Sequence, residues 1–249
     1  MTLRRVLQSP LPALVLLALL WWLAVPALRI QPRYLPPLAS VVADAASVWP
    51  DLVAGFWRTL IETLAGLALG SALGVLCGVS FAHSRWLEDG VFPLFVALQS
   101  VPVIAFGAIV VIWFGNTILA KVVIAMYLAF FPVTVNTLRG LQETDPQRLA
   151  LMRSFGASPA QLFFKLRLPT ALPTIMIGLK VAVSLSLAGA IVGEWFGDTV
   201  GLGVMLLQAL YFEQVPRLWA LIIASATMGA LLYGAVALVE QRLVWWRAQ

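Results

Sequence analysis

Two charged residues, Lys180 and Glu194, bracket the apolar run VAVSLSLAGAIVG, and a charge within such a run is costly enough to mark a functional position. Gln99, Ser100, Asn136 and Ser184 put polar groups into similar runs, the first two just ahead of Pro102. Their chemistry is contact with a passing solute or hydrogen bonding between helices. Bond cleavage would need a nucleophile with a base or a metal cluster. His83 is the only histidine, and Ser80 near it has no acid partner. Cys77 is the only cysteine, which excludes an intrachain disulfide and a paired-cysteine metal site. No G-x-x-x-x-G-K-[ST] occurs, and none of Lys121, Lys165 and Lys180 follows a glycine, so the chain cannot cradle ATP phosphates in that way. Neither a catalytic residue nor a bound metal is expected.

The other informative stretch is the polar loop from Arg139 to Pro169. Asp145-Pro146 supplies a helix cap followed by proline at the first helical position. Gly156, followed by Ala157, offers a helix stop because glycine tolerates the left-handed conformation. Ser158-Pro159-Ala160-Gln161 starts a second helix with a capping-box spacing. The loop is therefore expected as helix, glycine break, helix, closed by Pro169, with Arg148 and Arg153 on its surface. Such a well-capped loop at a membrane surface fits contact with a partner.

Hydrophobic residues make up 61% of the chain and charged residues 11%, with mean hydropathy +0.95. That composition belongs to an integral membrane protein. Runs such as LPALVLLALLWWLAVPAL argue against the alternating strands of a membrane barrel. The expected architecture is all-α, a single domain over residues 1–249, with six spans near 11–29, 59–82, 91–114, 118–138, 171–193 and 217–240. The uncleaved first span follows Arg4 and Arg5. With the N-terminus inside, ten of the 16 Lys and Arg fall on the cytoplasmic side: Arg4, Arg5, Arg85, Arg139, Arg148, Arg153, Lys165, Arg167, Arg242 and Arg247. The positive-inside rule thus puts both termini and the Arg139–Pro169 loop in the cytoplasm. Basic residues spread over membrane flanks explain the net charge of +5 without nucleic acid.

Several local patterns have structural readings. Residues 39–49, ASVVADAASVW, suggest a short amphipathic helix on the outer surface, after an extended entry through Pro32, Pro36 and Pro37. Gly66, Gly70, Gly74 and Gly78 form a one-face ladder for close helix packing. Arg58 and Glu62, one turn apart, are positioned to pair. Pro102 and Pro132 should kink the third and fourth spans beside a solute route. Lys180 is read as snorkelling or pairing with a loop rather than touching solute.

Gly156, nine intervening residues and then Leu166-Arg167-Leu168-Pro169 resemble the signature loop of ABC importer permeases, EAA, three residues, G, nine residues, I-x-LP. Ala150 stands where that motif has its glutamate, and Leu151 and Met152 where it has alanines. The resemblance extends through AIVGEWFG and Gly201-Leu202-Gly203 to an ending of Glu240, Leu243 and Trp246. It implies a type I ABC importer permease of the bacterial inner membrane. It further implies two cytoplasmic ATPase subunits that hold ATP and magnesium, a second permease copy, and an extracytoplasmic substrate-binding protein. The loop, with Asp145, Pro146, Arg148, Arg153, Gly156, Ala157, Ser158, Pro159, Leu168 and Pro169, would dock on the ATPase. Glu194 would then lie near the outer gate. RSFGAS and GEW are similar to the branch taking thiamine-precursor pyrimidines or riboflavin, with sulfonates, taurine and nitrate remaining open. A secondary transporter and an intramembrane enzyme are the rival classes, and coupling carboxylates in mid-span or repeated halves, which a secondary transporter would show, are not evident.

Overall fold

The computed structural model describes residues 11–247, and every regular element among them is helical. In chain order these are α1 (Leu11–Ala27), α2 (Leu38–Ser47), α3 (Trp49–His83), α4 (Arg85–Gly90), α5 (Phe92–Leu98), α6 (Val103–Phe114), α7 (Ile118–Gln142), α8 (Pro146–Ser154), α9 (Pro159–Leu162), α10 (Leu168–Glu194), α11 (Leu202–Tyr211) and α12 (Val215–Leu243). A π-helical turn, Phe163–Arg167, joins α9 to α10.

Among the described residues, four helices are long and apolar enough to cross a membrane: α3, α7, the run Pro159–Glu194, and α12. The expected third span, 91–114, is not one helix. The segments Arg85–Leu98 and Val103–Phe114 meet at an angle of 92°. Proline accounts for the break, because Pro102 has no N–H to donate and disfavours helical geometry at Val101. Residues 99–101 close instead on tight turns, Gln99 N–H to Val96 O and Val101 N–H to Leu98 O. The first expected span is the 17-residue α1.

Pro169 does not end the loop as expected. The helix runs on through it, so Pro159–Glu194 forms one 36-residue rod. The π-turn just ahead absorbs the hydrogen bond that Pro169 cannot make. Pro132 is likewise carried inside α7, where the Asn136 amide donates to its carbonyl at 2.8 Å.

The core is α7, held between α3 and α10. The glycine ladder of α3 lies directly on α7: a Cβ built on Gly70, Gly74 or Gly78 would sit 2.7, 2.8 and 2.7 Å from the carbonyls of Met126, Phe130 and Thr134. Since glycine number and α7 number rise together, the two helices run parallel. On the other side, Gly178 approaches Pro132 O and Gly189 approaches the Ala125 backbone, so α10 runs antiparallel to α7. Small residues thus set the interhelix distance, as expected where lipid offers no hydrophobic drive for association. Around this core, Leu52, Leu187, Leu202, Leu221 and Met228 bind α3, α10, α11 and α12 together. The amphipathic α2 is present and is pinned to α12 by Arg217 and Asp44, 3.1 Å apart. Trp21 donates to Pro36 O at 2.9 Å and packs edge-on against Trp219.

Candidate functional site

The bundle has a loop end, bearing α8 and α9, and a far end where α3, α7 and α12 begin. At the loop end the expected caps are present. Asp145 accepts from the Gln147 N–H at 2.8 Å and pairs with Arg148 at 3.6 Å. Ser158 and Gln161 make the reciprocal capping box, with Pro159 at the helix start. Gly156 has φ +76°, a left-handed value suited to glycine, and nothing lies within 4 Å of where its Cβ would be. Arg153 and Ser158 are exposed, and Ala157 is half-buried beside them. Two apolar side chains stand out here: Phe155 is 81% exposed and Leu151 58%. α8 buries none of its own residues. The base of this loop is nevertheless tied down. Gln142 donates to Glu88 on α4 at 2.6 Å, and Thr174 on α10 donates to Glu143 at 3.0 Å. Leu168 and Pro169, half-buried, lie where the loop enters the long rod.

The far end holds a buried polar cluster. Arg58 donates to Glu62 at 2.7 Å and reaches Asp198 at 3.5 Å. Lys121, fully buried in the first turn of α7, meets Asp198 at 3.1 Å and also bonds Asn116. Glu194 is 1% exposed. One of its oxygens accepts from Thr59 at 2.6 Å and the other from the Gly203 N–H at 2.5 Å. Thr59 in turn accepts from the Leu202 N–H at 2.9 Å. A Cβ on Gly201 or Gly203 would run into the Glu194 carboxylate, which is the physical content of an acid followed by Gly-Leu-Gly. The cluster ties α3, α7, α10 and α11 into one unit. Sequence reading found the Arg58–Glu62 pair by its spacing but missed Lys121, Asp198 and Thr59, whose partners lie on other helices.

Burial opposes ionisation of Asp198, but the Thr199 N–H, Lys121 and Arg58 outweigh it and hold this carboxyl below the usual aspartate range. The folded value lies below the unfolded one, so the stabilisation is complete above about pH 4 and is lost as pH falls through the lowered folded value. Melting temperatures of the purified protein should show no acid loss from this group between roughly pH 7 and 5. Asp198→Asn should flatten the fall below about pH 4; an unchanged slope there would remove Asp198 from the account.

The remaining candidates separate. Lys180 does not pair with a loop; it forms an ion pair with Glu240 on α12, over the Tyr233 ring. Asn136 spends its amide within α7. Ser184 borders a shallow groove between α10 and α12. Gln99, Ser100 and Pro102 come together at the break between α5 and α6, on a cavity of about 420 Å³. Among the described residues no cluster of His, Cys, Asp and Glu has the form of a metal site.

Residues 70–245 match the family described as binding-protein-dependent transport system inner membrane component. The formylaminopyrimidine transport permease protein ThiX of Halalkalibacterium halodurans is 38% identical over 221 residues, covering 87% of each chain. The riboflavin transport system permease protein RibX of Chloroflexus aurantiacus is 30% identical over 96% of this chain and 90% of its own. The taurine transport system permease protein TauC of Escherichia coli is 28% identical over 95% and 88%. In three dimensions the chain is similar to one from the MetNI methionine ABC transporter in an inward-facing conformation. The TM-score is 0.70 at 20% identity, over 79% of this chain and 98% of that one, and this likeness speaks for the fold.

Proposed function

We propose, from the premise that this chain belongs to the binding-protein-dependent transport system inner membrane component family and is an ABC importer permease, that it carries a small heteroaromatic vitamin precursor across the bacterial inner membrane. Permeases of this family are not enzymes and act with ATPase and substrate-binding partners. In this proposal the partners are two ATPase subunits, which bind ATP and magnesium and to which hydrolysis belongs, a second copy of this chain, and an extracytoplasmic binding protein. The loop end and both termini are cytoplasmic, and the far-end cluster lies toward the binding protein. A pyrimidine or flavin-type solute is favoured by the RSFGAS and GEW resemblance and by the ThiX and RibX relatives. TauC keeps a sulfonate as the second reading.

The observation that carries the mechanism is the capped, outward-facing α8–Gly156–α9 loop with Phe155 exposed, continuous with a rod that reaches Glu194. A push on α8 and α9 by closing ATPase subunits is transmitted along that rod, because a hydrogen-bonded helix resists shortening. Ala150 lies exposed in the middle of α8, so the contact here is apolar and dipolar in place of the motif's acid.

The test is ATP hydrolysis and uptake by the complex with its ATPase and binding protein in lipid vesicles. Gly156→Leu should lower solute moved per ATP about tenfold, since the left-handed backbone is strained and the added side chain fills the docking face. An unchanged transport-to-hydrolysis ratio would overturn the coupling role.

A further inference from the structure

We infer that the cavity at the α5–α6 break is a solute-selecting site for an uncharged planar heteroaromatic ring. The inference rests on the importer reading above and deepens it by placing selection in the permease itself. Three features of the cavity point to that ligand. Its walls are aromatic, with Phe95, Tyr127, Phe130 and Phe131 among the lining residues. Phe95 stacks on Phe131 at 5.0 Å and 14°, and Tyr127 is stacked on Phe106, outside the lining, at 4.0 Å and 24°. The Tyr127 ring is fixed, because its hydroxyl donates to Leu98 O at 2.6 Å, on the very carbonyl that ends α5. Offset stacking between rings is the contact such walls favour.

Hydrogen-bonding groups gather at one side. Gln99 and Ser100 line the cavity and are exposed at the break. α6 begins after Pro102 without a side-chain cap, leaving the first N–H donors of that helix to a ligand. A ring with carbonyl or aza acceptors uses both the faces and the donors.

Charge decides between solute classes. No Lys, Arg, His, Asp or Glu lines the cavity. The open start of α6 offers an anion part of a charge at most. A sulfonate or nitrate entering it would shed water without gaining a counter-ion, and would meet the electron-rich faces of the rings. A neutral ring loses far less. Its volume, about 420 Å³, falls in the ordinary range for an organic ligand of one to three rings.

The experiment uses the full complex, permease with ATPase and binding protein, in lipid vesicles. The probes are riboflavin, a formylaminopyrimidine, taurine and nitrate. Wild type should take up one of the two heteroaromatic probes, and Phe131→Ala should cut that uptake at least tenfold. Ser100→Lys should shift the ratio of heteroaromatic to taurine uptake by at least tenfold toward the anion, a reversal that loss of structure does not produce. Co-purification of each variant with the ATPase verifies folding. A selectivity ratio unmoved by both substitutions would overturn this site alone. Wild-type uptake of taurine or nitrate would overturn both this site and the heteroaromatic substrate proposed above, while leaving the ABC importer class intact. Failure of the wild-type chain to associate with an ATPase would instead overturn the importer reading.

Discussion

Lys121→Met is expected to destabilise the protein by about 3–5 kcal/mol, the usual loss when one partner of a buried ion pair is removed. Lys121 is fully buried, and Asp198, its partner, is 10% exposed at the side chain. Methionine keeps the volume and the apolar stem but leaves Asp198 with the Thr199 N–H at 2.8 Å and, as its remaining cationic partner, the longer 3.5 Å contact to Arg58. It also frees Asn116, which Lys121 bonds and which in turn reaches the Gly197 carbonyl. The expected fall in melting temperature of the detergent-purified protein is on the order of 10 °C. Asp198→Asn in the same chain should recover part of it, because the uncompensated charge is then gone. Full additivity of the two substitutions would show that they do not interact and would dissolve the cluster as a unit.

Gly70→Leu should prevent the core from closing. Its Cβ would stand 2.7 Å from the Met126 carbonyl and 2.9 Å from the Ala129 Cβ, and α7 offers no flexible side chain there to move aside. Overpacking costs roughly 1–3 kcal/mol where side chains can give way, and more where backbone must. The predicted result is a sharp loss of monodisperse protein after extraction, with Gly70→Ala intermediate. Gly234→Ala in α12, where nothing lies within 4 Å, is the control and should be neutral or slightly stabilising. Equal yields for Gly70→Leu and the control would show that the α3–α7 contact is looser than the structure has it.

The two sites differ in how far sequence alone exposes them. The α8–α9 loop was legible almost entirely, because a cap, a left-handed glycine and a capping box act over three or four residues and depend on nothing distant. Its errors came from context. Pro169 looked like a stop, yet packing against α7 makes it worthwhile to keep the helix going through a π-turn. The exposure of Phe155 likewise needed a surface to be defined. Pro102 announced a kink, but a 92° break within a largely apolar run depends on what α5 and α6 pack upon: Phe95 goes against Phe130 and Phe131 of α7.

Hydropathy, glycine spacing and capping determined by themselves that the chain is a helical membrane protein whose polar loop is built as helix, glycine break, helix. These are properties of one segment in one solvent, lipid or water, and segments answer that question independently. Which glycine face meets which helix, which carboxylate Lys121 finds, and that Glu194 binds Thr59 from 135 residues away were decided only by tertiary structure. A buried charge must be matched by whatever group the fold brings within about 3 Å, and sequence separation carries no information about that distance.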